Sequence, residues 1–213
     1  MSKKFSVDGR ELWCNEADFE YFQENAFKEN VQIDDLEGWE TQVKVNYNEK
    51  AFLLKANEYF NSNDYIQSHE KLWAAASYSV KKYFLQMGVK LGSHKAKKHA
   101  VTTMINEALK HKLGFNAKHS MAGMLEIGWR AAERCNASFN ELLSTSPEEW
   151  EKKYEHVENF TKALNDLRSN DTFKKGLLTS LLNPPKTLTC KQFTSNVEET
   201  FGGQKYKINY KIY

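Results

Sequence analysis

The strongest constraint on the fold is the stretch from Asp64 to Met87, DYIQSHEKLWAAASYSVKKYFLQM. Tyr65, Leu72, Trp73, Ala76, Val80, Phe84 and Met87 recur at the three-four spacing that stacks side chains on one face of an α-helix. Asp64 is placed to accept a hydrogen bond from an early backbone N–H, and Gln67, three residues on, completes a capping-box pattern. Trp73 followed by three alanines sets one large ring beside small side chains, so a second helix can approach closely there. A helix with such an apolar side needs partners, and the chain around it is expected to supply them.

It does so in order. Glu49 to Asn61 reads as a helix burying Phe52, Leu53, Ala56, Tyr59 and Phe60, and the short Asn61-Ser62-Asn63 break makes it an antiparallel neighbour of the central helix. Ser93 is a fair N-cap for a third helix running to Gly114. Its inner side would carry His94, Val101, Ile105, Ala108 and Leu109, and its outer side Lys95, Lys98, Thr102 and Asn106. A fourth helix is expected over Ala117 to Leu143, with Met121, Leu125, Trp129, Ala132, Cys135, Phe139 and Leu142 on one stripe. Ser146-Pro147-Glu148-Glu149 gives an N-cap, a proline at the first helical position and a glutamate at the third, and so starts a fifth helix through Leu167. Asn170 to Leu182 makes a short sixth, stopped by Asn183-Pro184-Pro185.

The two ends follow other patterns. Residues 1–48 interleave aromatics such as Trp13, Phe22 and Trp39 with carboxylates, and form an arm expected to pack on the bundle. Within it, Glu16 to Lys28 suggests a short helix and Trp39 to Tyr47 alternates like a strand. Residues 184–213 read as a hairpin or an extended arm, with Gly202-Gly203 between Thr187–Phe193 and Tyr206–Tyr213. The fold class is therefore all-α, five to six helices over 49–183 with irregular N- and C-terminal arms. No period repeats, so no solenoid is expected.

At 213 residues the chain is long enough to bury a core without staples. Its 3 cysteines lie far apart, with no pair suited to a zinc knuckle or disulfide framework. The polar first residues lack the apolar core of a signal peptide, and no run reaches membrane-spanning length, so a cytoplasmic or nuclear protein without membrane association is expected. The net charge of +2 hides a segregation: residues 1–50 hold six Lys/Arg against twelve Asp/Glu, whereas 81–118 hold nine lysines against the single acid Glu107. Such a cationic segment can meet phosphate backbones. Equally, it can be covered by the acidic arm or be an ordinary solvated face.

Lys95, Lys97, Lys98, Lys110, Lys112 and Lys118 are the candidates for contact with RNA or another polyanion. Lysines hold phosphates as point charges, so binding through them would be weakly sequence-specific and salt-sensitive. His69 and the adjacent Glu70 point about a hundred degrees apart on a helix and do not address one group together; His69 reads as a core histidine. His94, opening the third helix, is the one weak candidate for a general base. None of the 6 histidines stands at helical ligand spacing from another, so no metal site is expected, and no phosphate loop or other cofactor motif is present.

Ala56-Asn-Glu-Tyr-Phe-Asn-Ser-Asn-Asp64-Tyr65, then Glu70-Lys71-Leu72-Trp73-Ala74-Ala75, then Ser93-His94, resembles the HEPN superfamily, in particular its archaeal paREP-type branch. The likeness covers residues 50–110. It implies an up-and-down helical bundle that dimerises and serves nucleic-acid transactions, sometimes as a ribonuclease. The nuclease branch carries an arginine with a histidine four to six residues later, and none of Arg10, Arg130, Arg134 and Arg168 has one. The resemblance thus implies a non-catalytic, homodimeric adaptor associated with RNA or a protein partner. An RNA-cleaving or nucleotide-transferring enzyme using His94, and a pure protein-interaction module, are the alternatives.

Overall fold

The computed structural model describes residues 2–7, 10–15, 33–35, 48–111, 120–136, 145–183 and 192–213. The chain divides into two compact units, Met1–Asn46 and Tyr47–Tyr213. In the first, β1 (Ser2–Val7) pairs antiparallel with β2 (Arg10–Asn15) and with β3 (Ile33–Asp35), in the order β2-β1-β3. The sequence between β1 and β2 is Asp8-Gly9, the dipeptide that favours two-residue hairpin connections. The helix expected over Glu16–Lys28 and the strand over Trp39–Tyr47 lie outside the described residues.

The second unit holds six described α-helices: α1 (Glu49–Asn61), α2 (Tyr65–Gln86), α3 (His94–Lys110), α4 (Met121–Cys135), α5 (Pro147–Asp166) and α6 (Asp171–Leu182). Their starts obey the capping rule. The side chains of Asn48, Asp64, Ser93, Ser120, Ser146 and Asn170 each accept a bond from the backbone N–H three residues on. The ends of α1 and α2 meet antiparallel, for Glu49 lies 3.3 Å from Lys82 at one end while Phe60 and Tyr65 pack at 5.4 Å at the other. Helix α2 is the hub and packs on α1, α3, α4, α5 and two strands. Leu72, Ala75, Ala76, Val80 and Phe84 are fully buried along it. Helices α4 and α5 approach closely at Gly128, where an added Cβ would collide with that of Phe160 and with the His156 carbonyl.

The protein is mostly helical but not all-α. After Gly88, whose φ of +75° suits a residue without a side chain, Val89–Leu91 forms β4. It pairs in parallel with β6 (Gln204–Ile212), which pairs antiparallel with β5 (Gln192–Phe201), giving the order β4-β6-β5. Gly202 and Gly203, both at positive φ, close the β5–β6 turn. Three residues give no readable period, and β4 finds its hydrogen-bonding partner only near the end of the sequence, so local patterning shows a helix break there and nothing more. Tyr206, Ile208 and Ile212 turn one face of β6 inward, and Leu85 of α2 packs with the first two.

Two helix readings need correction. Leu109 is 60% exposed, because the buried face of α3 runs through Ala96, Ala100, Met104 and Ala108, and the next residue turns about a hundred degrees away. Helix α4 begins at Met121, since Ser120 caps it in extended geometry. Residues 112–119 and 137–144, with Phe139 and Leu142, lie outside those described.

Candidate functional site

The lysines of α3 divide by helix geometry. Lys95, Lys98 and Lys110 lie on the exposed arc with Thr102, Asn106 and Leu109, and Lys97 lies to one side, partly covered. At ~1.5 Å per residue, the 12 steps from Lys98 to Lys110 separate them by about 18 Å along the axis. Lys112 and Lys118 lie outside the described residues. The carboxylates of the same unit then enter. Lys98 Nζ is 3.3 Å from Glu133 Oε1 on α4, and Lys110 Nζ is 2.8 Å from Glu107 Oε2. Further along the basic segment, Lys82 pairs with Glu49 at 3.3 Å and Lys90 with Glu199 of β5 at 2.8 Å.

Glu107, the single acid of the segment, is 5% exposed and is the centre of a polar cluster between α3 and α6. Lys110 donates to it, Ser180 Oγ donates at 3.1 Å, and His111 Nε2 lies 3.2 Å from Oε1. Gly176 leaves the room this takes, because a Cβ there would stand 2.2 Å from Glu107 Oε1. Burial alone would push the Glu107 carboxyl up, but hydrogen bonds from Lys110 and Ser180, then the Lys110 charge and the His111 contact, hold it below the usual carboxylate range.

His94 is half-buried against two indoles that themselves meet at 5.3 Å, with its ring 5.0 Å from that of Trp73 on α2 and 6.2 Å from that of Trp129 on α4. Its Nε2 is 3.6 Å from Glu133 Oε1, the oxygen that also meets Lys98. The group links the start of α3 to α2 and α4, and its outer edge holds a histidine, a carboxylate and an ammonium within one carboxylate's reach.

His69 is fully buried. Nδ1 lies 2.7 Å from the Tyr65 carbonyl, so it carries the proton. Nε2 faces Thr145 Oγ1 at 3.4 Å and Lys153 Nζ at 3.5 Å, and Trp150 meets the ring edge-on. Burial lowers its pKa, partly offset by the Tyr65 carbonyl. His99 is likewise lowered by burial. Cys135, buried on α4, has its thiol pushed up to about 12 by burial, well away from the thiolate that a nucleophile needs.

The residue-by-residue reading of the chain missed a second cationic surface, on β6. Lys205, Lys207 and Lys211 alternate with the inward Tyr206, Ile208 and Ile212, and so share the opposite face. The alternation that signals it is plain in the sequence. Among the described residues, no group of three or more acidic, histidine or cysteine side chains could hold a metal, and no helix is long and apolar enough to cross a membrane. No protein-family model matches the chain, and comparison with curated proteins and with solved structures finds no match.

Proposed function

We propose that the chain is a non-catalytic helical adaptor of HEPN type that works as a homodimer in association with RNA. The observation that carries the reading is the setting of His94. The histidine aligned with the resemblance packs against the touching pair Trp73 and Trp129 and shares Glu133 with Lys98, a packing position where three helices meet. A general base needs hydrogen-bond reach to the proton it takes; this ring packs against two indoles and turns its Nε2 to Glu133, a contact that joins helices. The cationic side chains left facing solvent support association with a polyanion, and the exposed Leu54, Leu109 and Ile127 offer apolar surface for self-association.

Labelled RNA incubated with the protein tests this directly. Binding without cleavage is expected, unchanged in His94→Phe, which keeps an aromatic ring against the indoles. Cleavage by the parent protein that His94→Phe abolishes would overturn the reading in favour of an RNA-cleaving or nucleotide-transferring enzyme, for which the His94–Glu133 approach is the supporting feature. Absence of RNA binding with capture of a protein partner would favour a pure protein-interaction module. Solution molar mass tests the dimer.

A further inference from the structure

The solvent face of the β5–β6 ribbon has features that the helical lysines lack. Residues 205, 207, 209 and 211 stand on one side of β6, and the other side is locked inward by Tyr206, Ile208 and Ile212, which are 9%, 0% and 0% exposed. The lysines therefore cannot rotate into the core. Successive positions on one strand face are about 6.7 Å apart, a spacing close to that of neighbouring phosphates on an extended nucleic-acid strand. Among the described residues, no carboxylate lies within ion-pair distance of Lys205, Lys207 or Lys211, in contrast to Lys82, Lys90, Lys98 and Lys110. The face has one acid, Glu198, directly opposite Lys207 in register.

At the far end of this face sit two rings. Phe193 is directly opposite Lys211, is 51% exposed, and meets Tyr213, itself 45% exposed, at 6.1 Å edge-on. Tyr213 packs over Gly92, where a Cβ would stand 2.2 Å from its ring, so the ring is positioned by the backbone beneath it. Exposed aromatics beside phosphate-spaced cations are the two ingredients of sequence-tolerant single-strand binding, in which charge tracks the backbone and π-faces take the bases.

We infer that this outer face, Lys205, Lys207 and Lys211 with Phe193 and Tyr213, is a docking surface for single-stranded RNA. The inference rests on the RNA-associated reading above and names its contact surface, which is the terminal ribbon and not α3. Lys211 and Lys207 hold phosphates while Phe193 stacks on a base next to them. Duplex RNA fits less well, because its stacked bases offer the rings no free face.

The test is a fluorescence-anisotropy titration of a labelled oligouridine against the full chain at two salt concentrations. Three variants are compared with the parent: Lys205→Gln/Lys207→Gln/Lys211→Gln, Phe193→Ala, and Lys95→Gln/Lys98→Gln on α3. Circular dichroism confirms that each is folded. The ribbon triple variant should lose most binding, and its log–log salt slope should fall by about two, from about 0.7 for each lysine–phosphate contact on a single strand. Phe193→Ala should weaken binding roughly tenfold, one stacked base's worth, and the α3 pair should change it less than about twofold. Parent-like binding by the triple variant overturns the ribbon site while leaving RNA association standing. Failure of the parent to bind overturns both, and tighter binding of an equal-length duplex overturns the single-strand assignment.

Discussion

Two lysine-rich regions of the second unit look alike in the sequence and differ in three dimensions. Over 81–118 nine lysines face one acid along the chain, yet Lys82, Lys90, Lys98 and Lys110 each meet a carboxylate in the folded protein. Only one of those four carboxylates, Glu107, comes from the segment itself. In β6 the lysines alternate with core residues, and their strand geometry turns them away from the carboxylates of the bundle. Charge counted along the chain measures sequence neighbours, whereas a polyanion meets the field of spatial neighbours. A helix packed against three others recruits compensating acids from its partners, whereas on the outer face of β6 Lys205 and Lys207 stay exposed and Lys211 is only partly covered, none of them within ion-pair distance of a described carboxylate.

If the α3 charges belong to the fold, breaking them should cost stability, and the largest cost should fall at Glu107. Glu107→Ala strips Ser180 and His111 of a buried acceptor, and about 2 kcal/mol of unfolding free energy should be lost in urea titrations. The Lys110 contribution to that loss is small, because its side chain is 62% exposed and water screens it. A loss under about 0.5 kcal/mol would show the cluster to be incidental, and would return the α3 lysines to the set of candidate phosphate contacts.

Acid should act on the helices with a definite sign. Burial holds His69 and His99 below the ordinary 6.5, so between their folded values and 6.5 the unfolded chain binds more protons. Stability is therefore complete above about pH 6.5 and falls as pH drops through that window, by at most about 1.4 kcal/mol per unit for each histidine. Glu107, also lowered, adds a second loss below about pH 4.5. Urea midpoints measured from pH 8 to 4 should show both declines. A midpoint that rises between pH 6.5 and 5.5 would contradict the buried neutral histidines, and in Glu107→Ala the lower decline should shrink.

Local rules were readable and non-local ones were not. Asp64 with Gln67, Ser93, Ser146 with Pro147, and Asn170 mark their helices through bonds that span three residues, and a sequence holds all of that information. The hub role of α2 followed from its apolar side for the same reason. Strand β4 escaped because its partner lies at the other end of the unit, and Leu109 was misplaced because apolar character alone does not fix an angle on the helix. At the candidate site, Lys98 and Lys110 were chosen by local density, and nothing local tells of Glu133 on another helix or of the depth at which Glu107 lies. The ribbon was the reverse case: Lys205-Tyr-Lys-Ile-Asn-Tyr-Lys211 shows its two faces by alternation, but which face would be buried depends on Leu85 and its neighbours on α2.

The smallest expected effect is the sharpest discriminator between the two regions. Neutralising Lys205, Lys207 and Lys211 together should change stability by no more than about 0.5 kcal/mol, the range for surface sites that make no packed or paired contact. Tyr206, Ile208 and Ile212 hold β6 to the bundle, and the Gly202–Gly203 turn and the β5 ladder set its register. The lysines contribute to none of these. Removing three like charges at i, i+2 and i+6 on one face relieves their mutual repulsion, and this offsets the lost attraction between Lys207 and Glu198 opposite it. A urea midpoint lowered by more than that margin would mean that these ammonium groups hold the ribbon in place as the α3 lysines hold their helices, and the contrast between a structural and an available set of charges would fail.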